Sequence, residues 1–195
     1  MNILFHMFLS GADDELLAGN FMGDFVKGPL NDHYPSRIRQ GLVLHRRIDS
    51  FAQRDESFQS SRRRISAEFG LFRGILVDLF YDHFLASEWE KWSRQSLTDY
   101  LVDSRRTLET FRHIMPEELQ NFFPVIFDEL LPSYHQTSGI SAALERMSRR
   151  VRRPNPLVGG GRELTRLYRP LHSDFTTFMI SVQRFVAVQV RENTL

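Results

Sequence analysis

The chain has 195 residues, 42% hydrophobic and 25% charged, the balance of one ordinary globular domain with a sizeable core. Lys+Arg number 25 against 24 Asp+Glu, a formal net charge of +1, so no global attraction to nucleic acid or another polyanion is built in. Cysteine is absent, which removes disulfides, thiolate zinc sites and a cysteine nucleophile, and confines any metal to His, Asp and Glu.

The first segment, MNILFHMFLSGADD, is apolar for only a few residues and lacks a positive flank, so it does not read as a signal peptide. No run approaches the roughly 18 apolar residues of a membrane span. The expectation is a cytoplasmic protein with no membrane partner. His6 lies in this segment, read as extended chain, as a core histidine or a metal ligand. Ser10-Gly-Ala-Asp-Asp-Glu opens a helix with Asp13 or Asp14 in its first turn, running to Gly28-Pro29. On it Leu17, Asn20, Phe21 and Asp24 share one side, and Asp24 is either a paired group or a ligand.

A helix from Ser36 to about Asp55 follows. Its inner stripe is Ile38, Leu42, His45, Asp49 and Ala52, spaced alternately four and three residues apart. A His and an Asp at i and i+4 can hold one metal from a single face, and a buried His–Asp hydrogen bond is the other reading. Ser57 to Phe69 reads as helix or loop-helix, with Arg62, Arg63 and Arg64 as a solvated face or an anion dock.

Gly70 precedes a helix from Leu71 to Ala86 that is apolar all round, the mark of a buried element. It nevertheless carries Asp78, Asp82 and His83. The two aspartates lie about 40° apart round the axis, and each is either paired with arginine or shares a cation. Trp89 and Trp92 close the core. Three amphipathic helices follow, Leu97 to Ile114, Pro116 to Leu131 and Gly139 to Val151, with Pro116 in a first turn and Ser138 as a cap. Residues 145–162 read as a mobile Arg/Pro/Gly-rich segment, and Arg149, Arg150, Arg152 and Arg153 make its positive patch. One long helix, Glu163 to about Arg191, finishes the chain. With no strand alternation and no repeat, the fold class is all-α, one domain over residues 1–195.

His45, Asp49, Asp24, Asp78, Asp82 and His83 thus project from three helices, several of them from core-facing positions. So many buried ionisable groups need a metal or a large arginine network. There is no E-x-x-H of a di-iron bundle, no P-loop, no G-x-S-x-G and no H-E-x-x-H. A His/Asp site beside arginines suits metal-assisted hydrolysis of a phosphate ester.

MNILFH at the start, GNFMGDFVKG at 19–28, GLVLHRRID at 41–49 and DLFYDHFLASEW at 78–89, with RRVRRPNPL further on, resemble the acyl carrier protein phosphodiesterases. That family looks like a divergent branch of the HD-domain metal phosphohydrolases, which implies an HD-domain-like helical bundle. The usual His-Asp pair is reversed here as Asp82-His83, so ligands do not transfer by that motif. The resemblance implies Mn²⁺-dependent hydrolysis of the phosphodiester joining 4′-phosphopantetheine to the serine of holo-acyl carrier protein. It implies metal ligation by His45, Asp49, Asp78 and Asp82, with His6, Asp24 and His83 as ligands or supports. Asp24 would orient water, Arg46 would steady the phosphate oxygens and His83 would protonate the leaving group. The carrier is a small acidic protein, so Arg62, Arg63, Arg64, Arg149, Arg150, Arg152 and Arg153 are its candidate dock. An HD-type nucleotide phosphohydrolase and a non-catalytic helical binding module are the competing readings, and oligomeric state stays open.

Overall fold

A computed structural model describes residues 3–30 and 33–192 of the chain, and among them every regular element is helical. The expected all-α architecture is what the chain adopts. The first segment is not extended: Ile3–Leu9 forms α1. Helix α2 spans Asp14–Met22, capped by the Asp13 carboxylate, which accepts from the Leu16 amide at 2.8 Å. It stops at Gly23 rather than continuing to Gly28, so Asp24 sits in the turn beyond it.

Helix α3, Ser36–Ala52, lies against α2 with unusual closeness. A Cβ placed on Gly19 would fall 2.1 Å from the Ile38 carbonyl oxygen, and one on Gly41 would fall 2.5 Å from that of Leu16. The two backbones therefore touch, with no layer of side chains between them. Pairing runs in the same sense along both helices: Arg37 binds Asp13, Gly41 meets Leu16, and His45 bonds to Asn20. The two helices run side by side in one direction, and the polar ends of both inner stripes arrive together.

Helix α4, Glu56–Arg64, ends earlier than the sequence pattern suggests. A 3₁₀ segment, Ala67–Phe72, contains Gly70 at φ 46, the left-handed turn that glycine permits. Helix α5, Arg73–Ser87, is the central element, with Leu76, Val77 and every residue from Leu79 to Ala86 buried. It packs against α1 and α4, and later in the chain against α9 and α11. Trp89 closes the core as expected, its indole N–H donating to the Gln95 carbonyl at 2.8 Å.

Helix α6 is Leu97–Thr110. The predicted Pro116–Leu131 helix is three pieces: α7 (Glu117–Val125, with Pro116 as its cap), a π turn (Ile126–Leu130) and α8 (Leu131–Ser133). The π turn lies between Pro124 and Pro132, neither of which can donate an amide hydrogen. Helix α9 runs Thr137–Arg150, so Ser138 is inside it rather than at its cap. In the stretch after α9, Leu157 is buried and Asn155 donates to the Ser148 carbonyl at 3.1 Å. The predicted last helix is also broken, into α10 (Gly160–Arg166) and α11 (Tyr168–Glu192). Pro170 explains the break: it has no N–H for the Arg166 carbonyl, so a new helix starts with proline in its first turn. Helix α11 then packs across α3, α4 and α5, burying Leu171, Phe175, Phe178, Met179, Val182 and Val186. No helix among the described residues is long and apolar enough to cross a membrane.

Candidate metal centre

At the α2–α3 contact, two imidazoles and a carboxylate converge. His6 comes from α1, and His45 and Asp49 come from successive turns of α3. Their nearest ligand atoms all lie within 4.8 Å of one another. His6 Nε2 is 3.2 Å from Asp49 Oδ1, and His45 Nε2 is 3.4 Å from Asp49 Oδ2 and 3.8 Å from Asp24 Oδ1. The rings stack with centroids 3.8 Å apart and planes inclined by 15°. Asp24, Asp49 and Asp78 together line an adjoining pocket of about 170 Å³, walled by Phe5, Ile48 and Phe178.

Each ring is held by its other nitrogen, and one residue holds both. His6 Nδ1 lies 2.9 Å from Asn20 Oδ1, while His45 Nδ1 lies 2.8 Å from the Asn20 backbone oxygen. Both partners are pure acceptors, so each Nδ1 carries the hydrogen and donates it. The Asn20 amide donates in turn to the His6 carbonyl at 2.7 Å and to Ser10 Oγ at 3.0 Å. Asn20 is fully buried, so this is a satisfied network with one spare feature: the two Nε2 lone pairs. They point at carboxylates, and His6 Nε2 is buried with no hydrogen-bond partner among the described residues. Lone pairs facing anions repel unless a proton or a cation stands between them. Two imidazole nitrogens and an oxygen, each ring fixed from behind by an oxygen acceptor, make a donor set that fits a divalent cation.

The titration behaviour follows from this crowding. Burial, joined by the charge of His45, pushes the His6 pKa down. Burial works against protonated His45 too, but the Asp24 and Asp49 carboxylates beside its Nε2 outweigh it and raise that ring. Burial opposes ionisation of Asp24 and Asp49, yet the histidines hold both carboxyls below their usual range. Asp78 differs: burial pushes it up to about 6.

Support for the three donors is local and identifiable. Gly23 leaves room for the His45 ring, because a Cβ there would lie 2.0 Å from the ring Cγ. Asp82 anchors α1: its Oδ1 accepts from the Phe5 amide at 2.8 Å and its Oδ2 from the Leu4 amide at 3.2 Å. Burial raises the Asp82 pKa well above the carboxylate range, and those two amides only partly offset it. Asp82, expected as a ligand, therefore has both oxygens engaged at the first turn of the helix that delivers His6. His83 is also elsewhere, with Nδ1 donating to the Tyr134 carbonyl at 2.8 Å and Nε2 3.1 Å from the Tyr168 hydroxyl. Although adjacent in sequence to Asp82, it points to a different helix contact, about 100° further round α5.

Arg46 is exposed and donates to the Gly28 carbonyl at 2.7 Å and the Val26 carbonyl at 3.3 Å, bracing the loop after Asp24. Arg63 pairs with Glu56, Arg64 with Asp174, Arg149 with Glu145 and Arg150 with Glu118. Arg153 stacks over Phe72, Arg152 is exposed, and Arg62 donates to Gln53 Oε1 at 3.0 Å. The residue that sequence reasoning passed over is Asn20. The signal was present: an amide on the inner stripe, flanked by Gly19 and Gly23, one turn before Asp24.

Comparison with known proteins agrees with this picture. Residues 1–182 match the family described as "Acyl carrier protein phosphodiesterase". A protein of that name from Pectobacterium atrosepticum is 30% identical over 193 residues, covering 97% of this chain and 99% of the relative. Its namesake from Yersinia pestis is 28% identical over 186 residues, 94% and 96% of the two chains, and one from Klebsiella pneumoniae is 27% identical over 186 residues with the same coverage. No solved structure matches the chain, so the HD-domain-like ancestry draws no support from that side. With the match running through His6, the α2–α3 contact, Asp78 and Asp82 in a single stretch, the chain belongs to the acyl carrier protein phosphodiesterase family.

Proposed function

We propose that this chain hydrolyses the phosphodiester between 4′-phosphopantetheine and the serine of holo-acyl carrier protein, with a divalent cation, Mn²⁺ by preference, held by His6, His45 and Asp49. The observation that carries the metal reading is the pair of Nε2 lone pairs, fixed from behind by Asn20 and aimed at Asp49 and Asp24. The family membership and its relatives' names support the substrate. When bound, the cation polarises the phosphoryl oxygens and lowers the pKa of a water.

The protein groups divide the remaining work. Asp24, held ionised by His45, is an acceptor suited to orient a water in the pocket. Asp78 is raised to about 6 by burial, which keeps a proton available close to neutral pH for the departing serine oxygen. This gives the leaving-group role to Asp78 rather than His83, whose two nitrogens are both committed at Tyr134 and Tyr168. Phe5, Phe58 and Phe178 border the pocket and limit water around the reacting phosphate.

The test is the intact mass of a purified holo-carrier after incubation with the protein, with Mn²⁺ and with excess chelator. Loss of the phosphopantetheine mass only in the metal arm is the expected result. An unchanged carrier in the presence of folded, Mn²⁺-loaded protein refutes the proposal and favours a nucleotide substrate.

A further inference from the structure

The scissile bond lies one ester oxygen from the carrier's serine, so no flexible arm separates the reacting phosphorus from the carrier surface. The carrier must therefore sit against the rim of the metal pocket itself. Among the described residues the pocket's own lining holds no arginine, and the cationic groups stand in a neighbouring groove. Arg46, Arg47 and Arg54 line one groove of about 510 Å³ on the outer side of α3, floored by Leu30 and Phe185. Phe51 joins groove to pocket, stacking on Phe185 at 4.6 Å and meeting Phe178 of the pocket wall at 6.0 Å. Arg62 approaches from the other side, bonded to Gln53, which lines the pocket.

None of these four has a carboxylate partner among the described residues. Their hydrogen bonds go to neutral oxygens: Arg46 to Gly28 O, Arg47 to Gln189 Oε1 at 2.7 Å, Arg54 to Ser50 O at 3.1 Å and Arg62 to Gln53 Oε1. By contrast Arg63, Arg64, Arg149 and Arg150 each face a carboxylate of their own, and Arg153 is turned onto the Phe72 ring, which leaves Arg152 as the one member of that patch with neither kind of contact among the described residues. A guanidinium oriented by one neutral acceptor keeps its charge and several N–H groups for a second partner. Its side chain is also partly ordered before binding, which reduces the entropic cost of docking.

We infer that the Arg46–Arg47–Arg54 groove, extended by Arg62, is the docking face for an acidic surface of the carrier protein, in place of the Arg149–Arg153 patch. This rests on the substrate reading above. It makes α3 a two-sided element: one side presents His45 and Asp49 to the phosphate, the far side presents Arg47 to the protein that bears it, and Arg46 lies between the two. Arg46 and Arg47 are in fixed register with the donors because they share α3, while Arg54 follows in the turn beyond it and Arg62 belongs to α4.

The experiment is a calorimetric titration of apo-carrier, the product that is not turned over, into the Mn²⁺-loaded protein. Charge reversal by Arg47→Glu with Arg54→Glu is expected to weaken binding by roughly tenfold or more, with Mn²⁺ affinity unchanged, while Arg149→Glu with Arg150→Glu changes it less than about twofold. Lysine at positions 47 and 54 restores most of the affinity, and wild-type binding weakens with added salt. Equal binding by wild type and the 47/54 reversal, or no carrier binding by wild type, overturns the inference. Wild type that binds carrier but never cleaves it would sink the proposed reaction and leave the docking face standing.

Discussion

Replacing Asn20 with alanine tests the central claim about how the metal centre is built. The side chain makes three buried hydrogen bonds, to His6 Nδ1, the His6 carbonyl and Ser10 Oγ, at 2.9, 2.7 and 3.0 Å. Removing it leaves the buried His6 Nδ1–H without its acceptor, while the His6 carbonyl and Ser10 Oγ keep each other through their own bond at 2.9 Å, so the fold should lose about 1–3 kcal/mol. The His6 ring would also be free to rotate or change tautomer, and loss of such a support typically weakens metal affinity about 10–100-fold. The backbone oxygen that holds His45 survives the substitution, so binding should be impaired rather than abolished. Urea denaturation of the metal-free protein reads the first quantity, and Mn²⁺ titration the second. A stability loss under about 1 kcal/mol together with wild-type Mn²⁺ affinity would show that Asn20 is incidental.

Gly23→Ala should lower Mn²⁺ affinity through the His45 ring, since the new methyl needs the space where Cγ stands, 2.0 Å away; an unchanged titration contradicts the geometry. Asp49→Ala and Asp82→Ala should separate cleanly. Asp49 is about half exposed, so its loss removes metal binding at little cost in stability. Asp82→Ala frees two buried amides and should destabilise by about 2–4 kcal/mol; similar denaturation midpoints for the two variants would refute the division. For pH, His45 is raised above 6.5 by Asp24 and Asp49 despite its burial. Its contribution to the metal-free fold is complete below 6.5 and lost as pH rises through the raised folded value. Metal-free protein should therefore lose stability as pH rises above 6.5, and His45→Asn should remove that decline; a wild-type curve that does not fall above 6.5 contradicts the assignment. Proton competition for the same Nε2 makes Mn²⁺ affinity fall as pH drops below the His45 value, measurable by titration at pH 6 and 8.

Much of this was legible in the sequence because helix periodicity reports which residues share a face. The stripe of Ile38, Leu42, His45 and Ala52 is buried as predicted, while Asp49, expected on the same inner row, stands half-exposed at its edge; the burial of α5 around Asp82 is as expected. Periodicity says nothing about which faces meet, however. His6 reaches the site only because α1 docks on α5 through Asp82, a tertiary hydrogen bond between residues 77 and 78 positions apart. Asp82 read as a ligand since a buried carboxylate needs positive partners, and the two backbone amides that satisfy it leave no trace in sequence. The breaks in the later helices were accessible in principle: Pro124, Pro132 and Pro170 are visible, and the apolar rhythm through them outweighed the missing amides. Which arginines are neutralised could not be read at all, because Arg64 meets Asp174 and Arg150 meets Glu118 only after folding.

The bare contact between Gly19 and Gly41 has a consequence for how this protein can vary. Elsewhere in the core a larger or smaller side chain can be absorbed by its neighbours, and helices shift to suit. Where two backbones meet directly there is no cushion, so the spacing of the metal donors is insulated from repacking of the aromatic interior around Phe175 and Phe178. Homologous chains can thus exchange most of their apolar residues while the histidines keep their separation. The same rigidity leaves the two glycines almost no latitude, since even one added methyl would wedge the helices apart and open the centre.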